Sequence, residues 1–108
     1  NITTTLVEHA DSQSPSTLTS LTKGGVAAAT RALAVEYAAR GIRVNAVSPG
    51  IIRTPERASE SYEPVANRQP LGHVGQVGDI VGAIMFLESA PFVTGEILHV
   101  DGGQVAGH

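Results

Sequence analysis

The stretch "SPSTLTSLTKGG" places two side chains that can take part in chemistry four residues apart, Thr19 and Lys23. Lys23 carries a positive charge and three N–H donors, and Thr19 carries a hydroxyl that can donate a hydrogen bond. Hydroxyl side chains differ in acidity. The Tyr phenol has a pKa of about 10, which a neighbouring ammonium group can lower, whereas an aliphatic hydroxyl such as that of Thr is a far weaker acid. Thr19 is therefore interpreted as a hydrogen-bond donor and a poor general acid.

Both residues lie near the start of a long predicted helix, Ser16 to Arg40, which is rich in Ala, Leu and Val. Ser14 and Pro15 fit its N-cap and first turn, and Gly41 its end. Two apolar stripes predict that the helix packs on two sides. The stripe with the larger side chains is assigned to the sheet: Val26, Ala29, Leu33 and Tyr37. The stripe of mostly small residues is assigned to another helix: Leu21, Gly25, Ala28, Ala32, Val35 and Ala39.

Strands and a second helix surround this element. The residues Asn1 to Leu6, Ile42 to Gly50 and Ile97 to Val100 read as strands, and Gly78 to Ser89 reads as a helix. The segment Ile51 to Leu71 contains three prolines and is predicted to be an irregular excursion, of the kind that often forms a lid. The order β-α-β-loop-α-β predicts an α/β fold, a partial doubly wound parallel sheet, in one domain over residues 1–108.

The composition excludes several classes of partner. The 108 residues have a formal net charge of −3 and no cluster of Lys and Arg, so neither nucleic acid nor an anionic membrane is expected to bind. No apolar run approaches the ~20 residues of a membrane span. Cys is absent, which excludes thiolate metal sites and favours a reducing, cytoplasmic location. The chain begins "NITTTL" without Met, and we expect it to be part of a longer polypeptide.

Four stretches follow one another as they do in one protein family. They are "NITT", "TSLTKGGVAAATRALAVEYAARGIRVNAVSPGIIRTP", "PLGHVGQVGDIVGAIMFLES" and "FVTGEILHVDGG". In them the chain resembles the C-terminal half of a short-chain dehydrogenase/reductase. The resemblance implies a Rossmann-like domain and hydride transfer between NAD or NADP and a carbonyl or alcohol. The Gly-rich turn that binds the cofactor's pyrophosphate belongs to the family's N-terminal half and is absent from these 108 residues.

The resemblance also implies roles for three polar residues. Lys23 stands where the family has the lysine that binds the nicotinamide ribose. Thr19 stands where the family has its proton-donating tyrosine, so the catalytic site is expected to be atypical. Thr4 matches the serine that hydrogen-bonds the substrate oxygen, although Thr3 or Thr5 could be the true equivalent.

A second set of contacts that the resemblance implies lies at the turn that ends the predicted strand Ile42 to Gly50. Pro49, Gly50, Ile52 and Thr54 match the family segment in which a backbone N–H and a Thr hydroxyl hold the nicotinamide carboxamide. The later run Gly72 to Gly78 has the spacing G-x-x-G-x-x-G, not the G-x-G-x-x-G of a nucleotide loop, and is interpreted as a loop that leads into a helix. No metal site is predicted.

Two other residues could replace the missing acid. His9 follows the first predicted strand, near where a substrate would lie, and a His side chain has a pKa suited to acid work. Tyr62 lies on the predicted lid. A His without a partner is, however, usually part of the polar surface, so both remain alternatives to Thr19.

The sequence thus predicts an NAD(P)-dependent oxidoreductase in its complete form, acting on a small-molecule carbonyl or alcohol. The 108 residues alone lack the phosphate cradle and are expected to be inactive. The alternative is an inactive family member that serves as an oligomerising or binding module. In either case the small-residue stripe of the helix predicts a homodimer or homotetramer.

Overall fold

The computed structural model describes residues 17–55 and 66–107, with the side chains of residues 17–20 excepted. The elements in chain order are helix α1 (Thr17–Tyr37), a 3-10 turn (Ala38–Arg40), strands β1 (Ala46–Pro49), β2 (Ile52–Arg53) and β3 (Gly75–Gln76), helix α2 (Val77–Ser89), strand β4 (Ile97–Val100) and the short helix α3 (Gln104–Gly107). The predicted strand Asn1 to Leu6 lies outside the described residues.

The strands pair in parallel, as the order of elements predicts. β1 pairs with β4 in a register that runs from Ala46 opposite Ile97 to Pro49 opposite Val100. β2 pairs with β3 beyond the carboxyl end of β1. Helix α2 lies between the paired strands β1 and β4 in the chain and packs against both of them. The α/β class with a partial parallel sheet is confirmed.

Helix α1 and its 3-10 turn end where Gly41 predicts. Gly41 adopts a φ of 75°, which residues with a side chain rarely tolerate, and its N–H donates to the carbonyl oxygen of Ala38 over 3.0 Å. Although α1 has 21 residues, it is not apolar enough to cross a membrane, and the same holds for the other helices of the described ranges.

The face of α1 that meets the sheet differs from the predicted stripe. Its buried residues are Ala27, Thr30 and Ala34, and Ala27 packs against Ala46 and Ile97. Ala29, which the prediction assigned to the sheet, is exposed. The prediction assigned to the sheet the stripe with the larger side chains. In the structure small residues line the contact with the strands, because they let the helix approach closely. The Thr30 hydroxyl is satisfied within the helix, since it donates to the Val26 carbonyl oxygen over 2.8 Å.

The second stripe of α1 is exposed along its whole length. Leu21 is 72% exposed and Val35 is 81% exposed, and the small residues between them are exposed as well. This apolar strip therefore has no cover within the described residues, as an interface for another helix requires.

Strand β1 is shorter than the predicted strand, Ile42 to Gly50. Side chains hold much of the segment before Ala46, and the Val44 carbonyl oxygen also accepts the Gly95 N–H over 2.8 Å. The Arg43 guanidinium donates to the carbonyl oxygens of Leu87, Glu88 and Val93 over 2.8, 2.7 and 3.1 Å. Leu87 and Glu88 belong to the last turn of α2, where carbonyl oxygens have no N–H partner four residues later in the helix. The Leu87 oxygen also accepts the Ala90 N–H over 3.4 Å. Arg43 thereby fastens the end of α2 to the start of β1.

Asn45 makes a similar link from the last position before β1. Its side-chain amide donates to the Val93 carbonyl oxygen over 3.1 Å and accepts from the Glu96 N–H over 3.0 Å. The segment between α2 and β4 is thus aligned with β1 before the ladder begins.

The predicted second helix is confirmed as α2, which begins one residue earlier than expected. The Asp79 carboxylate accepts the Gln76 N–H over 2.8 Å and so satisfies a donor at the helix start. The predicted excursion from Ile51 is not irregular at its beginning, because β2 lies there. The run Gly72 to Gly78 leads through β3 directly into α2 and forms no nucleotide loop.

Replacement of Arg43 by Ala should lower the free energy of unfolding by about 2–3 kcal/mol, because three carbonyl groups lose a charged donor. Denaturant unfolding measures this. Arg31→Ala is the matched control, since Arg31 is exposed on α1, and it should change stability by less than about 0.5 kcal/mol. Equal stability of the two variants would contradict the role assigned to Arg43.

Candidate functional site

The turn after β1 lies at the carboxyl ends of two parallel strands, the position at which ligands bind to open α/β sheets. Within this turn the Gly50 N–H donates to the Val100 carbonyl oxygen over 3.0 Å, which ties the turn to the end of β4. A Cβ atom on Gly50 would lie 2.8 Å from the Asp101 Cα and would also collide with the Gln69 side chain. The turn can therefore approach its neighbours this closely only with glycine at position 50.

The backbone beyond Gly50 is fixed on both sides. The Ile51 N–H donates to Gln69 Oε1 over 2.8 Å, and the Ile51 carbonyl oxygen accepts the Gly75 N–H over 2.9 Å. Ile52 is paired with Gly75, and the Gly75 N–H bonds to the carbonyl oxygen of the preceding residue, Ile51. In a parallel ladder with this pattern, the N–H of Ile52 itself points away from β3. The turn thus presents a backbone donor away from the sheet. Thr54 directly follows β2 and is half-buried.

Helix α1 runs antiparallel to the strands. Ala34 lies beside Gly95, before β4, where a Cβ on that glycine would be 3.4 Å from the Ala34 Cβ. Ala27, about two turns earlier in α1, packs on Ala46 and on Ile97, which lies after Gly95 in the chain. The N-terminal turns of α1 therefore extend toward the carboxyl ends of β1 and β4.

Lys23 lies one helical turn before Ala27, on the sheet-facing side of α1, and it is half-buried. Position 19 lies one further turn toward the helix start, and the side chain of Thr19 is outside the described part of the structure. The helix thus carries Lys23 toward the end of the sheet at which the Pro49–Ile52 turn lies.

Three buried polar residues near this end of the sheet, Ser48, Gln69 and Asp101, were not singled out from the sequence. Gln69 is 2% exposed, and its Nε2 donates to the His73 carbonyl oxygen over 2.6 Å. Asp101 is 7% exposed, and its carboxylate accepts the N–H groups of Gly103 and Val105 over 3.0 and 3.1 Å. The "DGG" sequence is a turn signal that could have indicated Asp101. No local pattern distinguishes Gln69 from an exposed loop residue.

A cavity of about 410 Å³ is lined in part by Gln69 and Asp101, which also lie against the turn at Ile51 and Gly50. Its other polar lining residues include His73, Asp79 and His99. Among the residues that the structure describes, no three His, Asp or Glu side chains are grouped in a way that could hold a metal ion.

Several predicted site residues lie outside the described ranges. They are Thr4, its alternatives Thr3 and Thr5, and the two alternative acids His9 and Tyr62. Lys23, Pro49, Gly50, Ile52 and Thr54 are described. Four of these belong to one continuous segment, at the end of the sheet that the helix of Lys23 approaches.

Comparison with known proteins identifies the family of this chain. A family model described as enoyl-(acyl carrier protein) reductase matches residues 1–104. Carbonyl reductase family member 4 from Danio rerio is 44% identical over 84 residues, which cover 78% of this chain and 35% of the relative. The chain thus spans about a third of the length of that curated relative.

Two solved structures share the fold at 32% identity. ElxO with NADP bound has a TM-score of 0.88 over 99% of this chain and 46% of its own. 4-Hydroxyisoleucine dehydrogenase complexed with NADH has a TM-score of 0.87 over 100% of this chain and 46% of its own. By its sequence and by its fold, the chain belongs to the short-chain dehydrogenase/reductase family.

Proposed function

We propose that the protein carrying this chain is an NAD(P)-dependent oxidoreductase that transfers hydride between the cofactor and a small-molecule carbonyl or alcohol. Residues 1–108 would form the C-terminal portion of its Rossmann-like domain. The observation that carries this proposal is the turn at the carboxyl ends of β1 and β4, which directs the Ile52 N–H away from β3. Solved structures that share the fold hold NADP or NADH. The lack of Cys favours the cytoplasm as its location.

The nicotinamide end of such a cofactor is proposed to bind at this turn. The Ile52 N–H and the Thr54 hydroxyl are the proposed donors to the carboxamide, and Pro49 and Gly50 form the turn that supports them. Lys23, half-buried on the antiparallel helix, is the proposed partner of the ribose hydroxyls. When bound, the nicotinamide would supply or accept the hydride.

Proton transfer is the step in which this protein is proposed to depart from its family. Hydride addition to a carbonyl leaves an oxyanion that a proton donor must neutralise. Thr19, at the tyrosine position, would hydrogen-bond this oxygen together with Thr4 and would protonate it poorly. The positive charge of Lys23 would stabilise the oxyanion from the same helix. Cofactor binding would thus be retained while carbonyl reduction is slow.

We predict that Thr19→Tyr in the full-length protein raises the rate of reduction of a generic carbonyl by about 10²-fold or more, because general-acid catalysis is restored. Steady-state kinetics with NADH and NADPH measure this. Thr19→Ser is the control, since it keeps an aliphatic hydroxyl and should leave the rate nearly unchanged. Lys23→Ala should weaken cofactor binding in a fluorescence titration.

A different kinetic result would indicate that another residue is the general acid. If the wild type reduces carbonyls rapidly and Thr19→Ala is equally fast, Thr19 has no catalytic role. His9→Ala and Tyr62→Phe are then the variants to measure, because these residues are the alternative acids.

A second candidate function rests on the exposed strip of α1. An inactive family member that serves as an oligomerising module would need such a surface, and the strip from Leu21 to Ala39 presents mostly small apolar residues to solvent. Small residues permit close approach of a second helix, so an isologous contact between two copies is proposed for either function. It would give a homodimer, or a homotetramer if it is combined with a second contact.

Replacement of Ala32 by Arg should disrupt this assembly, because it would place an unpaired charge in the contact. Light scattering should show the wild type as a dimer or larger species and Ala32→Arg as a smaller or aggregated one. Ala106→Arg is the matched control, since Ala106 is exposed on α3, and it should leave the assembly intact. A monomeric wild type at micromolar concentration would contradict the proposal.

A further inference from the structure

The geometry points to Gln69 as the residue that positions the cofactor-binding turn of this protein, an inference that rests on the proposed function. Gln69 lies on the loop before β3, 18 residues beyond Ile51, and is almost completely buried. It is a positioning residue, because its contacts are to the turn and the loop and it acts on the cofactor through the backbone of the turn.

The side-chain amide of Gln69 makes two hydrogen bonds in opposite directions. Its Oε1 accepts the Ile51 N–H over 2.8 Å, and its Nε2 donates to the His73 carbonyl oxygen over 2.6 Å. An amide carries one acceptor and one donor group at fixed positions, whereas an ionised carboxylate only accepts and an apolar side chain does neither. Gln69 therefore connects the turn after β1 to the loop that leads into β3.

The backbone of this loop is itself fixed. The Gly72 N–H donates to the Gln69 carbonyl oxygen over 2.7 Å in a turn, and the Leu71 N–H donates to the Gly102 carbonyl oxygen over 3.1 Å. A Cβ on Gly102 would lie only 3.1 Å from the Gln69 Cβ. Gln69 is thus packed against the segment after β4, and its amide has little freedom to move.

Three hydrogen bonds together determine where the Ile52 amide points. Gly50 is bonded to Val100, the Ile51 N–H to Gln69, and the Ile51 carbonyl to Gly75. The bond from Gln69 is made by a side chain, whereas the other two belong to the backbone. Its loss would leave the part-buried Ile51 N–H without its acceptor and would let the turn shift. A shift of the turn would misalign the donors of Ile52 and Thr54.

This role predicts a selective loss of affinity. The turn is proposed to bind the nicotinamide end, so a displaced turn should weaken the whole cofactor but not a ligand that lacks nicotinamide. The probes are NADH or NADPH, whichever the wild type binds, and ADP-ribose or its 2′-phosphate. The protein is the full-length polypeptide that carries this chain.

We expect Gln69→Leu to weaken binding of the reduced cofactor by about 10-fold, the change that accompanies loss of one buried hydrogen bond, and to change ADP-ribose binding by less than about 2-fold. Gln104→Leu makes the same chemical change on α3 and should affect neither ligand. Equal loss for both ligands, or no loss for the reduced cofactor, would overturn the inference.

Gln69→Glu provides a second variant with the shape of the wild type. A protonated carboxyl group carries an acceptor and a donor, as the amide does, but the ionised form cannot donate to the His73 carbonyl. Burial raises the pKa of a carboxyl group, so the protonated form should predominate at low pH. Affinity for the reduced cofactor should therefore approach that of the wild type near pH 6 and fall toward pH 9.

The wild type measured over the same pH range is the control for the ionisable side chains that line the neighbouring cavity, which include His73, His99, Asp79 and Asp101. A pH profile of Gln69→Glu that parallels the wild type would contradict the positioning role. A purely structural defect would instead lower the affinity of both ligands together.

Hydrogen exchange separates failure of the inference from failure of the proposed function. The Ile51 amide should exchange faster in Gln69→Leu than in Gln104→Leu, whether or not a cofactor binds. Unchanged exchange would overturn the inference by itself. If exchange is faster but the wild type binds neither NADH nor NADPH, the proposed function is wrong, and the role of Gln69 toward a cofactor falls with it.

Discussion

The parallel pairing of β1 with β4 is the constraint on which the remaining structure depends. It brings Ala46 and Ile97 side by side, and these two residues form the surface against which Ala27 of α1 packs. The same register places Pro49 opposite Val100, so both strands end at one level. Since α1 runs antiparallel to the strands, its N-terminal turns and Lys23 approach that end. A different register would separate the helix from the turn.

The ladder between these strands is short, and polar side chains extend it at both ends. Arg43 and Asn45 hold the entrance to β1 against the segment that follows α2, through backbone carbonyl and N–H groups about 50 residues away. Gln69 holds the exit through the Ile51 N–H. Each of these side chains satisfies backbone groups that lie outside the ladder, at the end of α2 or in the flanking loops.

In the proposed function, cofactor binding resembles that of the family, whereas proton transfer differs from it. The turn from Pro49 to Ile52 and Lys23 are the parts proposed to bind the nicotinamide end of the cofactor. The part proposed to differ is Thr19, which would place an aliphatic hydroxyl where the family has a proton-donating phenol. A protein of this kind would bind its cofactor at an ordinary site while its proton transfer is impaired, which is why binding and turnover have to be measured separately.

The sequence by itself determined those features that depend on near neighbours. The existence of α1 and α2, the stop at Gly41, the end of α2 at Ser89, the strand Ile97 to Val100 and the α/β class all follow from periodicity, turn residues and composition. The resemblance added the family, which the comparisons confirm. These signals act over a few residues and therefore can be read from the sequence alone.

Only the tertiary structure decided which groups meet across the fold. It rotated the buried face of α1 to Ala27, Thr30 and Ala34, because a close contact with the strands favours small residues over the larger ones that the pattern had selected. It shortened β1 by pairing Arg43 with distant carbonyls. It also buried Gln69 against a turn 18 residues earlier, a contact that no local pattern encodes, because the loop is brought there by strand pairing and not by its own sequence.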